Sequence, residues 1–239
     1  MAPTFLPLLD GLIEEIVRDP NSNFRIYLTT MPSDKFPVTI VQNSIKMTAE
    51  PPKGLRNNIR GFYYTFENKE FEASQKPIAF RRLLWGLVFF NALCLERKKF
   101  GALGWNIPYA FSVSDLRISK DQLAAFLNHY DEIPYDALLY MVAEANYGGR
   151  VTDPQDRRTI MTMLQDFYCP EMINEPNHKL SESGAYFVPP DGQKEDYIAF
   201  IESKLPINDL TEIFGMHENA EITSAINTTN ALLATALGL

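Results

Sequence analysis

The chain has 239 residues, 46% hydrophobic and 22% charged, with 22 Lys+Arg against 30 Asp+Glu and a formal net charge of -8. That is enough chain for one large domain or two smaller ones with a real core, and its acidic balance argues against a nucleic-acid or polybasic membrane surface. The two cysteines, Cys94 and Cys169, lack the number and spacing of a disulfide framework or thiolate metal site and read as reduced thiols of an intracellular protein.

Residues 5–18 place Phe5, Leu8, Leu9, Leu12, Ile13, Ile16 and Val17 on one face, with Glu14, Glu15 and Arg18 outside, which predicts an amphipathic helix. No basic, long-apolar secretory leader is visible ahead of it. After Asp19-Pro20-Asn21-Ser22, the β-branched and aromatic run Phe24–Thr30 and the shorter Pro37–Val41 read as strands. Two strands in a helical chain need further strands or a covering helix, so they are expected to be the edge of a larger sheet, and the chain to begin inside a domain.

Pro51-Pro52-Lys53-Gly54 is a linker into a helix over roughly 54–66. Helix 78–98, with Leu83, Leu84, Trp85, Leu87, Val88, Phe89, Phe90, Leu93 and Leu95, is apolar nearly all round and predicts the centre of a bundle. Its run Leu83–Leu95, interrupted by Gly86 and Asn91, is too short to cross a bilayer, which takes about 20 apolar residues. The cationic turn Arg97-Lys98-Lys99 suits the negative end of the helix dipole, and Gly101 stops the helix. The aromatic loop from Phe100 through Trp105 and Tyr109 to Phe111 packs on the bundle, because rings of that area are hidden by core contact without any ligand. Ser119 and Gln122 form the pattern of a capping box for a helix carrying Leu123, Phe126, Leu127 and Tyr130.

The stretch Glu144–Arg158 stops one helix and starts another within a few residues. Helix 135–146 runs Tyr135, Leu138, Leu139, Met141, Val142 and Ala145 along one face. Gly148 and Gly149 are expected to close it in the left-handed conformation, and Asp153-Pro154 to cap and open the next. Arg150, between the two caps, is a five-donor cation suited to orphan carbonyls, a carboxylate or a phosphate. No phosphate loop accompanies it, so it reads as a lock on the corner. Helix 154–168 turns Ile160, Met161, Leu164, Phe167 and Tyr168 inward, with Asp156-Arg157-Arg158 as a solvated first turn. The proline-rich segment 169–193 is expected to be an ordered excursion or contact surface. Helix 194–204 follows, and then a last helix from about 220 whose Ile222, Ile226, Leu232, Leu233 and Leu237 have no later partner in the sequence.

No phosphate loop, nucleophile elbow, zinc-protease helix or dinucleotide fingerprint occurs. His129, His178 and His217 have no ligand cluster or nucleophile beside them in sequence, and the acidic pairs Glu14-Glu15 and Asp131-Glu132 read as solvated faces. The residues therefore predict no catalytic site, no metal and no cofactor in this chain.

Five stretches in order, Lys35–Val38, Asn43–Arg56, Phe100–Tyr109, Asn146–Arg158 and Phe214–Ala220, resemble the dynein heavy chain across essentially the whole sequence. Tyr186–Gly192 resembles axonemal more than cytoplasmic members, while Thr211 stands where the family often has proline and Ala110 where an acidic residue is common. The resemblance implies a mainly α fold: a helical bundle like an AAA+ lid, preceded by a small α/β remnant. Residues 1–50 would close the large subdomain of the sixth AAA+ module, 51–205 form its lid, and 206–239 lead into the C-terminal region. It implies a parent that is an ATP-driven microtubule motor of the cytoskeleton and cilium, with ATP and Mg in other modules. This chain's partners would be the neighbouring AAA+ modules and the C-terminal region. Thr29 and Thr30 fall where AAA+ ATPases place a nucleotide-sensing polar residue. Gly148, Gly149, Arg150, Asp153, Pro154 and Trp105 are the candidates for coupling the lid mechanically. The rival is an independent helical adaptor that binds a protein partner through 169–193 or the last helix.

Overall fold

The computed structural model describes residues 4–18, 24–30, 36–47 and 51–237. The chain divides into two compact units, Met1–Pro51 and Pro52–Leu239.

In the first unit, helix α1 spans Leu6–Arg18 and helix α2 spans Val38–Asn43. Leu6 and Ile40 are buried, and Thr39 Oγ1 donates to Asp10 between the helices. The face with Phe5, Leu8 and Leu12 stays open to solvent. Both expected strands are corrected here: among the described residues there is none. Residues 24–30 run without a ladder and are exposed, Tyr27 at 90%, while 38–43 is helical. The physical reason is the lack of a sheet to join: a strand's backbone groups need a neighbour, and a β-rich composition cannot supply one. At 38–43 the backbone instead satisfies itself locally, starting with Val41 N donating to Pro37 O at 3.3 Å.

The second unit is helical, as its periodicity predicts. It comprises α3 (Leu55–Thr65), α4 (Asn68–Glu72), α5 (Pro77–Glu96), α6 (Val113–His129), α7 (Tyr135–Leu139), α8 (Pro154–Gln165), α9 (Glu171–Asn174), α10 (Lys194–Lys204) and α11 (Asn219–Leu237). Every residue of α5 from Leu83 to Cys94 is buried. A helix with no polar face must be covered from all sides, and α3, α4, α6, α8 and α9 do so. One flank is aromatic: Trp85 lies 6.0 Å from Tyr63, 5.9 Å from Tyr197 and 5.6 Å from Phe200. One turn further along the same face, 6.2 Å from Trp85, Phe89 stacks on Phe167 at 5.6 Å and meets Tyr186 edge-on at 5.7 Å. Gly86 allows the closest approach, since a Cβ there would stand 2.9 Å from Phe167 O. Together with the 3-10 turn that follows, α5 makes a 27-residue stretch long and apolar enough to cross a membrane, which corrects the expectation that it is too short, and its most apolar window is 83% buried inside the protein. It is the core helix of the bundle.

The segment after α9 is ordered by its own pairing. Leu180 N donates to Tyr186 O at 2.8 Å and Val188 N to His178 O at 2.9 Å around a turn at Gly184, φ 75°. Tyr186 and Val188 enter the core, and Arg81 holds Asp191 through two bonds of 2.7 and 2.6 Å. Removing the central ring is expected to matter more than any surface change: Trp85→Ala should lower the unfolding free energy by about 3–5 kcal/mol, the range for large aromatic truncations, as read from urea denaturation.

Candidate functional site

The candidate coupling residues Gly148, Gly149, Arg150, Asp153, Pro154 and Trp105 lie where α5, α6, α7 and α8 converge. Helix α8 starts as the sequence predicts: Asp153 accepts from Gln155 N at 2.9 Å and Asp156 N at 3.0 Å, and Pro154 occupies the first turn. The Asp156 amide and then the Asn106 side chain hold the Asp153 carboxyl below the usual carboxylate range.

Asp156 is not the solvated residue expected from its sequence neighbours. It is 5% exposed and gathers the aromatic loop, accepting from Asn106 N at 3.2 Å, Ile107 N at 3.4 Å and the Tyr109 hydroxyl at 2.9 Å. Tyr109 in turn accepts from Asp153 N at 3.3 Å. Trp105 closes the other end of that loop, donating from Nε1 to Cys94 O, an orphan carbonyl of the last turn of α5, at 3.1 Å. Arg97 lies 5.1 Å over its ring. This arginine, expected as one cation of a turn that suits the helix dipole, is buried and donates to Gly104 O at 3.1 Å and to Phe214 O. Burial lowers its pKa from the ordinary value.

Helix α6 starts seven residues earlier than the Ser119 signal implies, at Val113, with Ser112 as cap and Asp115 reaching back to Ser112 N at 2.8 Å. Arg150 grips that same carboxylate, Nε to Oδ2 at 2.9 Å, and its terminal nitrogen lies 3.4 Å from Ser112 Oγ. Asp115 is buried, so the pair ties the corner to the beginning of α6. A phosphate at Arg150 would have to displace a carboxylate already in place.

Ser119 and Gln122 serve a different purpose from capping. Both accept from Asn146 Nδ2, at 2.9 and 2.7 Å. Asn146 ends the most unusual element of the fold. Beyond α7 the backbone widens into a π-helix over Tyr140–Asn146, closed by Tyr147 N donating to Val142 O, five residues back, at 2.9 Å. Tyr147 is driven inward, its hydroxyl 2.9 Å from Asn91 and its ring 5.1 Å from Phe90, and burial pushes its pKa up. The expected glycine closure is corrected accordingly. Neither Gly148 nor Gly149 has positive φ; they open a 3-10 turn. Gly148 is small because a Cβ would stand 2.2 Å from Ala143 O, whereas nothing lies within 4 Å of one at Gly149.

These side chains form a joint whose donors and acceptors answer one another. It contains no paired nucleophile and base. Thr29 and Thr30 are exposed residues of the irregular stretch in the first unit. His178 Nδ1 lies 2.8 Å from Glu175, and among the described residues no group of three or more His, Cys, Asp or Glu is placed to hold a metal ion.

A bundle built this way matches a helical lid of an AAA+ module: residues 80–220 match the family described as "Dynein heavy chain AAA lid domain", and residues 1–48 match "Dynein heavy chain region D6 P-loop domain". The chain belongs to the dynein heavy chain family. It is similar to human "Dynein axonemal heavy chain 12", 50% identical over 99% of the chain and 8% of that protein, and to human "Dynein axonemal heavy chain 1", 48% identical over 100% of the chain and 6% of that protein. Mouse "Dynein axonemal heavy chain 3" is 47% identical over 97% of the chain and 6% of its own length. The chain therefore spans less than a tenth of the curated relatives it matches. The axonemal likeness expected from Tyr186–Gly192 is found in these relatives, and the independent-adaptor reading is not favoured by them.

The joint yields sharp expectations. Gly148→Ala should cost about 1–3 kcal/mol through overpacking against Ala143, whereas Gly149→Ala should stay within about 1 kcal/mol of the parent, both read from denaturant midpoints. Asp156→Ala strands the loop amides and the Tyr109 hydroxyl and should cost about 3 kcal/mol by the same measurement. Asp153 has a pKa lower in the folded than in the unfolded chain, so its contribution is present above the unfolded value, about 3.9, and fades as pH falls through the folded one. Asp153→Ser keeps a cap without that titration, and its thermal stability should fall less steeply than the parent's in this acid window.

Proposed function

We propose that this chain is the mechanical lid of the sixth AAA+ module of an axonemal dynein heavy chain and carries conformational change round the ring without hydrolysing nucleotide itself. The observation that carries the reading is the joint at Asp156, Arg150, Arg97 and Asn146: it fixes the aromatic loop and the starts of α6 and α8 against the buried α5, so that a displacement at one edge of the bundle is delivered at another. Packed bodies with saturated polar contacts move as units, the behaviour a coupling element needs. Gly148, Gly149, Arg150, Asp153, Pro154 and Trp105 are its coupling residues, held by the contacts described above.

In this reading residues 1–50 end the large subdomain, 51–205 form the lid and 206–239 lead into the C-terminal region. The lid works against neighbouring AAA+ modules and that region of the same heavy chain. ATP and Mg act in other modules, microtubules are engaged by the parent motor, and its site of action is the cytoskeleton of the cilium. The names and identities of the relatives support this assignment.

Two measurements test it. ATP or ADP with Mg should leave the melting temperature of the isolated chain unchanged; a saturable rise overturns the non-nucleotide reading, since a ligand of the native state must stabilise it. In a complete axonemal heavy chain, alanine at the arginine matched by Arg150 should slow microtubule gliding more than it lowers ATP hydrolysis. An equal loss of both, or of neither, sinks the coupling role.

A further inference from the structure

Helix α3 begins without a capping side chain of its own. Its N-cap is Gly54, at φ 88°, a backbone region that other residues rarely enter, and glycine has no side chain to offer the helix amides. The cap comes instead from 154 residues away: Leu55 N donates to both carboxylate oxygens of Asp209, at 3.1 and 3.2 Å. The Asp209 side chain is 4% exposed, and Lys99, in the turn that follows α5, reaches it at 3.3 Å. The Lys99 ammonium also lies 4.8 Å from the Phe214 ring, so the end of α5 grips the departing chain at two points. Beside this pair Glu96, the last residue of α5, accepts from Asn58 Nδ2 at 2.8 Å and from the Gly54 amide.

Asp209 is the inward-turned acid of a short strap between α10 and the turn Thr211–Phe214. Leu205 before the strap and Thr211 after it are buried, whereas Ile207 is 82% exposed and Asn208 is also open to solvent. Leu210 N donates to the hydroxyl of the core residue Tyr186 at 3.0 Å and anchors the far end. Burial, and then the neighbouring Asp209 charge, raise the Glu96 pKa, against the Gly54 and Asn58 donors and the Lys99 charge that lower it. The strap is thus closed by amide hydrogen bonds and one cation, and opposed by a like charge at close range.

We propose that Asp209 is a latch joining the chain's entry into the bundle, at Gly54 and Leu55, to its exit through 206–214, so that a displacement arriving at one crossing is delivered directly to the other. Resting on the coupling reading above, this latch adds a second route for displacement, one that bypasses the joint at Asp156 and Arg150. Asp209 is a positioning residue, acting through Leu55 and Lys99. The first amides of a helix have no intrahelical acceptor, so a helix held there by an outside carboxylate follows that carboxylate when it moves. Coupling of this kind is reciprocal: loosening the exit loosens the start of α3.

Hydrogen exchange and motility test it together, in a complete axonemal heavy chain carrying this sequence. Asp209→Ala should speed exchange at the Leu55 amide about tenfold or more, the loss of one hydrogen bond to a charged acceptor, read by mass spectrometry with fragmentation to single residues. Asp209→Asn keeps an acceptor without the charge and should restore part of that protection. Amides of Leu87–Leu93 in α5 report on the whole fold and should exchange as in the parent; where Asp209→Ala disturbs them, Asp209→Asn decides. The ratio of gliding speed to ATP turnover should fall severalfold with Asp209→Ala and less with Asp209→Asn, in the order of the exchange rates. Faster exchange confined to 206–214, with Leu55 unchanged, overturns the proposal, and so does an unchanged ratio. The Arg150→Ala chain separates the latch from the reading beneath it. If its ratio falls and that of Asp209→Ala does not, the latch fails and the coupling role stands; if neither falls, both fail; if only that of Asp209→Ala falls, the latch stands without the joint.

Discussion

Burial of α5 is the constraint from which the second unit follows. A helix with twelve consecutive buried residues, Leu83 to Cys94, has no face to offer water, so the helices around it are obliged to close a complete shell. Completeness has local costs that the sequence meets with particular residues. Gly86 lets the Phe167 backbone reach the helix surface, and Asn91, polar in the middle of the core, is satisfied by the Tyr147 hydroxyl. At the far end of α5 Trp105 takes the Cys94 carbonyl, and Arg97, just past the helix, donates to the Gly104 and Phe214 carbonyls.

The polar contacts of the corner differ from ordinary surface pairs because one member of each is withdrawn from solvent. Asp115 and Asp156 are each nearly inaccessible, while Arg150 is half exposed. An exposed pair is weak and exchanges readily with water. A buried carboxylate with several donors has no comparable alternative, and its geometry is fixed by the loss incurred when a donor leaves. Stiffness at the corner thus comes from carboxylates placed where they cannot be left unpaired.

The elements most legible from sequence were those written in periodicity: α1, α3, α5, α10 and α11 fall within two residues of the expected spans. Asp153-Pro154 was equally readable, because an N-cap is a local event. The strands at 24–30 and 37–41 were not, since their composition speaks to propensity while a sheet is decided by neighbours. In the corner, Ser112 with Asp115 has the spacing of a capping box and is readable as one, but Ser119 with Gln122 has the same spacing, and local pattern alone does not separate them. Nothing local marks Asp156 as buried, for its donors come from residues about fifty positions earlier. The π-helix is also silent in the sequence. It exists because Asn146 and Tyr147 must reach α6 and α5 at once, an agreement between elements rather than within one.

That widened turn has a further meaning for how this chain tolerates change. Relative to an α-helix, a π-segment holds a surplus residue in its spiral. Removing one residue from 140–146 would give the backbone a more regular helix, yet each later residue would be turned by about 100°, the angle that separates neighbours at 3.6 residues per turn. Asn146 would swing off Ser119, Tyr147 off Asn91, and the glycine that fits beneath Ala143 would no longer lie under it. Length in this stretch is therefore a coordinate of the fold: a shorter helix of better local geometry would belong to a bundle with a different corner.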